Sequence, residues 1–179
     1  YNELIESYNK SKIKTEKSFI ESTEQTDIYL IDAKEIIKET TDYFRSISKR
    51  FFPNSAAGIT IYNNSGDNQI RFDIDAKIDA DASDGINNIK IFCYDLTLLI
   101  KGYAHKINFL FHDSRLLDGV DSRKTAELFK TLNENIKKEK KQYILSLNQN
   151  QLDEMKRHLS DIEYKNIISD NICLELKDD

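Results

Sequence analysis

Residues 109–121 have the sequence Phe-Leu-Phe-His-Asp-Ser-Arg-Leu-Leu-Asp-Gly-Val-Asp, in which a short apolar run ends abruptly at Asp113. Two further aspartates, Asp118 and Asp121, follow within eight positions. The run predicts a buried strand, and a carboxylate at the C-terminal end of such a strand is a common way to hold magnesium beside a phosphate. The phosphate-cradling pattern G-x-x-x-x-G-K-[ST] occurs nowhere in the sequence, so the stretch predicts only part of a phosphate site.

The composition is that of a folded and rather polar domain. The 179 residues are enough for one hydrophobic core with an appended helix. A formal net charge of -5 argues against a uniformly basic nucleic-acid-binding surface but leaves room for a local patch. The lysine-rich residues 135–141 suit a solvated helix C-terminus, and contact with DNA phosphates is the alternative. The sequence contains neither a long apolar run nor a signal-peptide pattern, so we expect no membrane partner and a cytoplasmic location.

The start of the sequence and its two cysteines give further expectations. The sequence begins at Tyr1 and its only methionine is Met155, so we expect it to be the C-terminal portion of a longer protein. Cys93 and Cys173 both lie in apolar segments without a second cysteine or a histidine nearby. This placement predicts buried thiols in a reducing compartment rather than a disulfide or a metal site.

The first half of the chain predicts two helical segments and a hairpin. Residues 1–52 predict a helical stump leading into the domain, whose first part, to about residue 26, suits either a coiled coil or an amphipathic helix. A stronger helical periodicity from residue 27 onward ends before Pro53. Alternation over 58–62 and 70–74, separated by turn-forming residues, predicts a β-hairpin. The aspartate-rich residues 75–84 lack the spacing of a calcium-binding EF-hand loop and predict a solvated loop.

Residues 53–179 predict an α/β domain with a mixed, partly parallel sheet and flanking helices. Apolar residues on one helical face predict a largely buried helix over 86–100. After the run that ends at Asp113, strands and helices alternate in the order helix 122–138, strand 143–147, helix 149–162 and strand 172–176. This alternation is typical of layered α/β folds.

Three short motifs stand at the ends of these elements. Residues 83–85 (Ser-Asp-Gly) open the predicted buried helix, Asp113 ends the first strand, and residues 148–149 (Asn-Gln) follow the next strand. Each has a plain structural interpretation, because the first and third motifs suit helix N-caps and Asp113 suits an acidic surface turn.

Taken together over about residues 30–176, these motifs resemble the C-terminal lobe of an ABC-type ATPase head from the SMC and DNA-repair group. In particular, the chain resembles the bacterial domain of unknown function that closes long coiled-coil ATPases of this kind. The resemblance implies that ATP and Mg²⁺ bind only together with an N-terminal lobe that carries the Walker A loop. It also implies a second ATPase head as partner, expected to be a second copy, and DNA as a further candidate partner.

The resemblance assigns binding roles to five residues. Asp113 matches the Walker B aspartate, which holds magnesium through water. Ser83 and Gly85 match a signature that contacts the γ-phosphate of ATP on the opposite head, and a helix N-terminus suits an anion. Asn148 or Gln149 occupies the place of the switch-loop histidine, where an amide could donate a hydrogen bond to phosphate but could not exchange a proton.

The catalytic position departs from the family pattern. ABC ATPases usually place a glutamate after the Walker B aspartate, and this sequence has Ser114 there. A serine cannot act as a general base without a partner of its own, so hydrolysis would depend on another residue such as His112 or Asp118. Asp118 and Asp121 are both candidates for the D-loop aspartate that reaches across the dimer interface.

Two functions from different classes follow from these observations. The first is an ATPase part, in which this lobe completes a composite ATP site in a protein of DNA maintenance or defence. The second is a non-hydrolysing nucleotide-sensing or protein-interaction module on the same fold, which Ser114 favours. An acidic structural domain without any link to nucleotide is a third possibility.

Overall fold

The structure is a computed structural model that describes residues 2–64, 71–79, 83–103 and 105–168. Its elements follow one another along the chain as α1 Asn2–Asp32, α2 Lys34–Phe51, β1 Ala57–Asn63, β2 Phe72–Ile78, α3 Asp84–Lys101, β3 Phe109–His112, a 3₁₀ helix Ser114–Leu117, α4 Ser122–Glu139, β4 Gln142–Leu145, α5 Gln149–Lys156 and α6 Asp161–Ile167. The fold is mixed α/β, as the sequence predicts.

The first two helices form a nearly continuous path. Ala33, which separates them, donates its N–H to the carbonyl of Tyr29 and accepts from the N–H of Ile37, both at 2.9 Å, so helical hydrogen bonding continues across it. Most of α1 is exposed, and Thr26 is its one buried residue among those described. The helix predicted from residue 27 onward is therefore the end of α1 together with the whole of α2, which ends before Pro53.

The hairpin predicted from alternation is confirmed. β1 and β2 pair antiparallel from Ala57 opposite Ile78 to Asn63 opposite Phe72. One boundary is wrong, because residues 75–78 belong to β2 rather than to the acidic loop. Ile78 is only 1% exposed, and the burial of this side chain against the core extends the strand beyond its aspartates. The turn residues 65–67 lie outside the described residues.

Helix α3 is the centre of the hydrophobic core. Phe92, Cys93 and Leu96 on this helix have no exposed surface, and Phe92 meets Phe51 of α2 edge to face with 5.8 Å between ring centroids. Burial raises the pKa of the Cys93 thiol to about 12, although the nearby Ser48 hydroxyl acts in the opposite direction. The interpretation of Cys93 as a small buried hydrophobe is confirmed, and Cys173 lies outside the described residues.

The second sheet is a parallel ribbon. β3 and β4 pair in register from Phe109 opposite Gln142 to His112 opposite Leu145, and α4 forms the crossover between them. The prediction of a buried strand holds for one face alone, because Phe109 and Phe111 are each 55% exposed on the other. Helices therefore cover one face of this ribbon in the part of the chain that the structure describes.

The helix predicted over 149–162 is wrong, since two helices, α5 and α6, occupy this region. Ser160 interrupts the helix because it is the N-cap of α6. Its hydroxyl accepts from the N–H of Glu163 at 3.3 Å, and its own N–H donates to the Glu163 carboxylate at 2.8 Å. This reciprocal capping box satisfies groups that a continuous helix would have bonded internally. The strand predicted over 172–176 lies outside the described residues.

Across residues 2–64, 71–79, 83–103 and 105–168, none of the helices combines the length and the apolar character that a membrane crossing needs.

The anchoring of α6 generates a pH prediction. Lys130 of α4 forms a 2.7 Å ion pair with Glu163, and this bond together with the Ser160 bonds lowers the pKa of Glu163 from 4.5 to about 2. A carboxyl whose folded pKa is depressed stabilises the fold above its unfolded pKa, and the contribution is lost as the pH falls through the folded value. The difference in unfolding free energy between wild type and Glu163→Gln should therefore shrink between pH 4.5 and about 2.

Urea unfolding followed by circular dichroism at a series of pH values measures this difference. Glu154→Gln on α5 is the control, because the exposed Glu154 carboxylate has no ion pair within the described ranges. A wild-type advantage over Glu163→Gln that stays constant across the acid range would contradict the assignment.

Candidate functional site

The candidate site lies at the C-terminal ends of the two parallel strands. Beyond β4, the N–H of Ser146 donates to the carbonyl of His112 at 3.1 Å, and the Ser146 hydroxyl accepts from the N–H of Ser114 at 2.9 Å. These bonds hold the segment after β3 against the segment after β4. Ligands of α/β sheets usually bind outside the carboxyl ends of the strands, which is where Asp113 lies.

Asp113 has one bonded and one open carboxylate oxygen. Its Oδ1 accepts from the N–H of Arg115 at 2.9 Å and lies 3.5 Å from the hydroxyl of Ser114, so the residue caps the short 3₁₀ helix. The residue is exposed, and the described part of the chain contributes no hydrogen bond to Oδ2. Asp113 is therefore both fixed in position and able to accept another ligand.

Gln151 is a site residue that the sequence interpretation missed. Its Oε1 accepts from the N–H of Asn148 at 3.0 Å, while its Nε2 lies 3.5 Å from the carbonyl of Ser114. It thus connects the start of α5 to the segment that carries Asp113. Asparagine followed three positions later by glutamine is a capping-box pattern, which could have revealed it. Gln149 points along α5 instead and donates to Asp153 at 2.8 Å.

The start of α3 contacts the turn after the 3₁₀ helix through backbone atoms. Gly85 is buried, and a Cβ atom on it would lie 2.1 Å from the carbonyl oxygen of Gly119, which has a φ of +70°. Asn88, also missed by the sequence interpretation, donates from its side-chain amide to the carbonyls of Asp118 at 2.9 Å and Arg115 at 3.3 Å. The motif at residues 83–85 and the turn at 118–121 are therefore in direct contact.

Ser83 acts as a helix N-cap, which is the plain structural interpretation of this residue. Its hydroxyl accepts from the N–H of Ile86 at 3.4 Å, and the residue is exposed at the positive end of α3. Capping and phosphate contact are compatible, because a hydroxyl oxygen that accepts one bond still has a proton to donate.

The two candidate D-loop aspartates have different surroundings. Asp121 caps α4, accepts from the N–H groups of Arg123 and Lys124, and forms a 3.1 Å ion pair with Lys124. Burial acts against its ionisation, but the bonds and the charge of Lys124 outweigh burial and lower the pKa of Asp121. Asp118 is exposed, and its carboxylate has no partner within the described ranges. Asp118 is therefore the one with a carboxylate open to another molecule.

His112 is engaged on both sides of its ring. Its Nε2 lies 2.8 Å from Oδ2 of Asp95 on α3, and its Nδ1 lies 2.6 Å from the hydroxyl of Tyr143 on β4. The ring turns toward the helices, with its side chain 11% exposed. In this arrangement neither ring nitrogen is available to a water molecule beside Asp113, and the catalytic role of His112 stays a prediction.

The role of Asp113 as a magnesium ligand also stays a prediction. The described residues contain no group of three or more His, Cys, Asp or Glu side chains that could hold a metal ion. Asp113 offers a single carboxylate, which suits an ion whose other ligands come from water and phosphate oxygens.

The sequence profile of a bacterial protein family matches residues 47–179, which is well over half of the chain. The chain belongs to this family, DUF2326. The family is described as uncharacterised proteins conserved in bacteria. The matched DUF2326 region begins inside α2 and includes every site residue described above.

The solved structures that are similar to this chain include one from work on the structural biochemistry of ATP-driven dimerization and DNA-stimulated activation of SMC ATPases. This structure is similar to the chain with a TM-score of 0.49 and 15% sequence identity, over 86% of this chain and 84% of that chain. No curated protein sequence matches the chain.

The contact between Gly85 and Gly119 generates a mutational prediction. A methyl group at position 85 would meet backbone atoms that cannot turn away, so Gly85→Ala should lower the free energy of unfolding by about 1–3 kcal/mol. Thermal and urea unfolding measure the loss. The control is Gly58→Ala, because a Cβ there would meet Thr41 at an ordinary 3.9 Å. Equal stability of the two variants would show that the two segments do not touch.

Proposed function

We propose that this chain is the C-terminal lobe of an SMC-like ATPase head, which completes a composite ATP site together with a lobe that carries the Walker A loop. The observation that carries the proposal is the convergence of three separate segments. Asp113 after β3, the 146–151 segment after β4, and the start of α3 against Gly119 form one continuous cluster of contacts. The order of these segments along the chain is that of the motifs which carry the resemblance.

Magnesium would be held beside Asp113. The open Oδ2 of this residue would accept hydrogen bonds from water on the ion. When bound there, the ion would supply positive charge that offsets the negative charge of the phosphates during phosphoryl transfer. Ser146 and Gln151 fix the backbone around Ser114 and thereby keep Asp113 at the edge of the sheet.

The start of α3 would serve the opposite head of a dimer. Ser83 is exposed there, and the unpaired N–H groups of a helix N-terminus favour a phosphate. Asp118 is exposed on the adjacent turn and would extend toward the same partner. A second copy of the same head fits this arrangement, since two identical heads would place each signature motif opposite the other's nucleotide. By analogy with the resembling family, the assembly would act in DNA maintenance or defence.

The surroundings of Ser114 favour a second candidate, a nucleotide-binding switch that does not hydrolyse ATP. The Ser114 hydroxyl is directed to Asp113, and the neighbouring His112 is already bonded on both ring nitrogens. Neither residue is placed to take a proton from water in this arrangement. Binding and hydrolysis are therefore tested separately.

The first test measures binding. The chain is co-expressed with the lobe that carries the Walker A loop, and association with Mg²⁺ and fluorescent ATP is followed by titration. Asp113→Asn should weaken magnesium binding roughly 10–100-fold, because it removes an outer-sphere anionic acceptor. Asp32→Asn on the exposed end of α1 is the control and should bind as wild type does. No nucleotide-dependent association in wild type would overturn the proposal.

The second test separates the two functions by turnover. Ser114→Glu places a carboxylate where a general base is usually found, and it should raise ATP hydrolysis by roughly 10²–10⁴-fold over a slow wild type. A wild type that binds ATP without measurable turnover, together with an active Ser114→Glu variant, supports the switch. Wild-type turnover that Ser114→Glu does not raise would show that another group is already the base.

A further inference from the structure

A partly buried polar trio connects three different elements. Asp95 is on α3, His112 is the last residue of β3, and Tyr143 is on β4. The imidazole of His112 lies between the other two, at 2.8 Å from the carboxylate and 2.6 Å from the phenol. Its ring also meets the Tyr143 ring edge to face, with 5.5 Å between centroids. The three side chains form one hydrogen-bonded chain that crosses from the helix layer to both strands.

A neutral imidazole satisfies all three groups at once. Nε2–H then donates to the Asp95 carboxylate, and Nδ1 accepts the hydroxyl proton of Tyr143. Burial raises the pKa of Tyr143 and the charge of Asp95 raises it further, so the phenol keeps the proton that it donates. Hydrogen bonds of this kind fix direction as well as distance, which apolar contacts between the same elements would not do.

The trio lies between the two functional parts of the proposed site. His112 directly precedes Asp113, and the carbonyl of His112 also accepts from Ser146. Asp95 is on α3, whose first turn contains Gly85, and the two residues are about 15 Å apart along the axis at 1.5 Å per residue. A rigid helix therefore joins the signature motif to the trio, and one peptide unit joins the trio to the candidate magnesium ligand.

We infer that Asp95, His112 and Tyr143 form a positioning network that makes the Asp113 end of β3 and the signature helix α3 move together. The inference rests on the proposed function, since it concerns how nucleotide at Asp113 affects the surface offered to the opposite head. None of the three residues touches the reacting atoms. Their role is to transmit a shift at the strand end to the helix, so that ATP binding and head association become coupled.

The test compares ATP binding with ATP-dependent association of two heads, both measured on the chain assembled with its Walker A lobe. Tyr143→Phe removes one hydroxyl, and Asp95→Leu removes the acceptor on α3. Both variants should keep the wild-type affinity for Mg²⁺-ATP and weaken ATP-dependent association by roughly 5–150-fold, the usual range of a coupling free energy. Asp95→Asn keeps an acceptor oxygen and should restore association.

Tyr94→Phe is the matched control, because it removes a partly buried phenol from α3 next to Asp95 but outside the trio. A spectroscopic readout accompanies the titrations: ¹⁵N shifts of the His112 ring should show the Nε2–H tautomer in wild type and lose it in Asp95→Leu. If ATP-dependent association is unchanged in both Tyr143→Phe and Asp95→Leu, the inference is overturned. In that case ATP binding by the wild type still supports the proposed function.

Two other outcomes are equally decisive. If both variants lose ATP binding as well as head association, the trio stabilises the fold and does not couple the two events. Absence of ATP binding in wild type would overturn the proposed function and the inference with it. Tyr143→Phe, which changes a single atom, provides the answer if Asp95→Leu does not fold.

Discussion

The burial of one face of α3 is the constraint on which the rest of the structure depends. Phe92 and Leu96 have no exposed surface and belong to one hydrophobic cluster with side chains from α2, the hairpin, the ribbon and α4. The apolar burial of this helix fixes its axis. Because the axis is fixed, the two ends of α3 are fixed as well, and Gly85 at one end reaches the backbone of Gly119 without a side chain between them. Core packing thus determines where the candidate site residues lie.

The features that could be predicted from the sequence are those with a local signal. The hairpin follows from strict alternation, and α3 and α4 follow from a helical period, since these patterns depend on neighbours along the chain. The break between α5 and α6 was missed although its signal is local too. Ser160 followed three positions later by Glu163 is a capping box, and the apolar periodicity around it concealed this pattern.

The parts of the candidate site that could not be predicted depend on distances across the fold. Asp95 and Tyr143 lie 17 and 31 positions from His112, and they reach it because of the register of β3 and β4 and the rotation of α3. No sequence pattern encodes either quantity. The exposure of Phe109 was also missed, because a short apolar run does not show whether one face of the strand or both faces will be covered.

The near-continuity of α1 and α2 has a mechanical consequence. Helix α1 has 31 residues, or about 46 Å at 1.5 Å per residue, and most of its surface is in solvent. It is joined through Ala33 to α2, whose Phe44 is enclosed in the core. The arrangement is that of a lever with its short arm embedded in the domain. A rotation of α2 by a few degrees therefore moves the far tip of α1 by several ångströms, which converts a small rearrangement at the core into a large displacement.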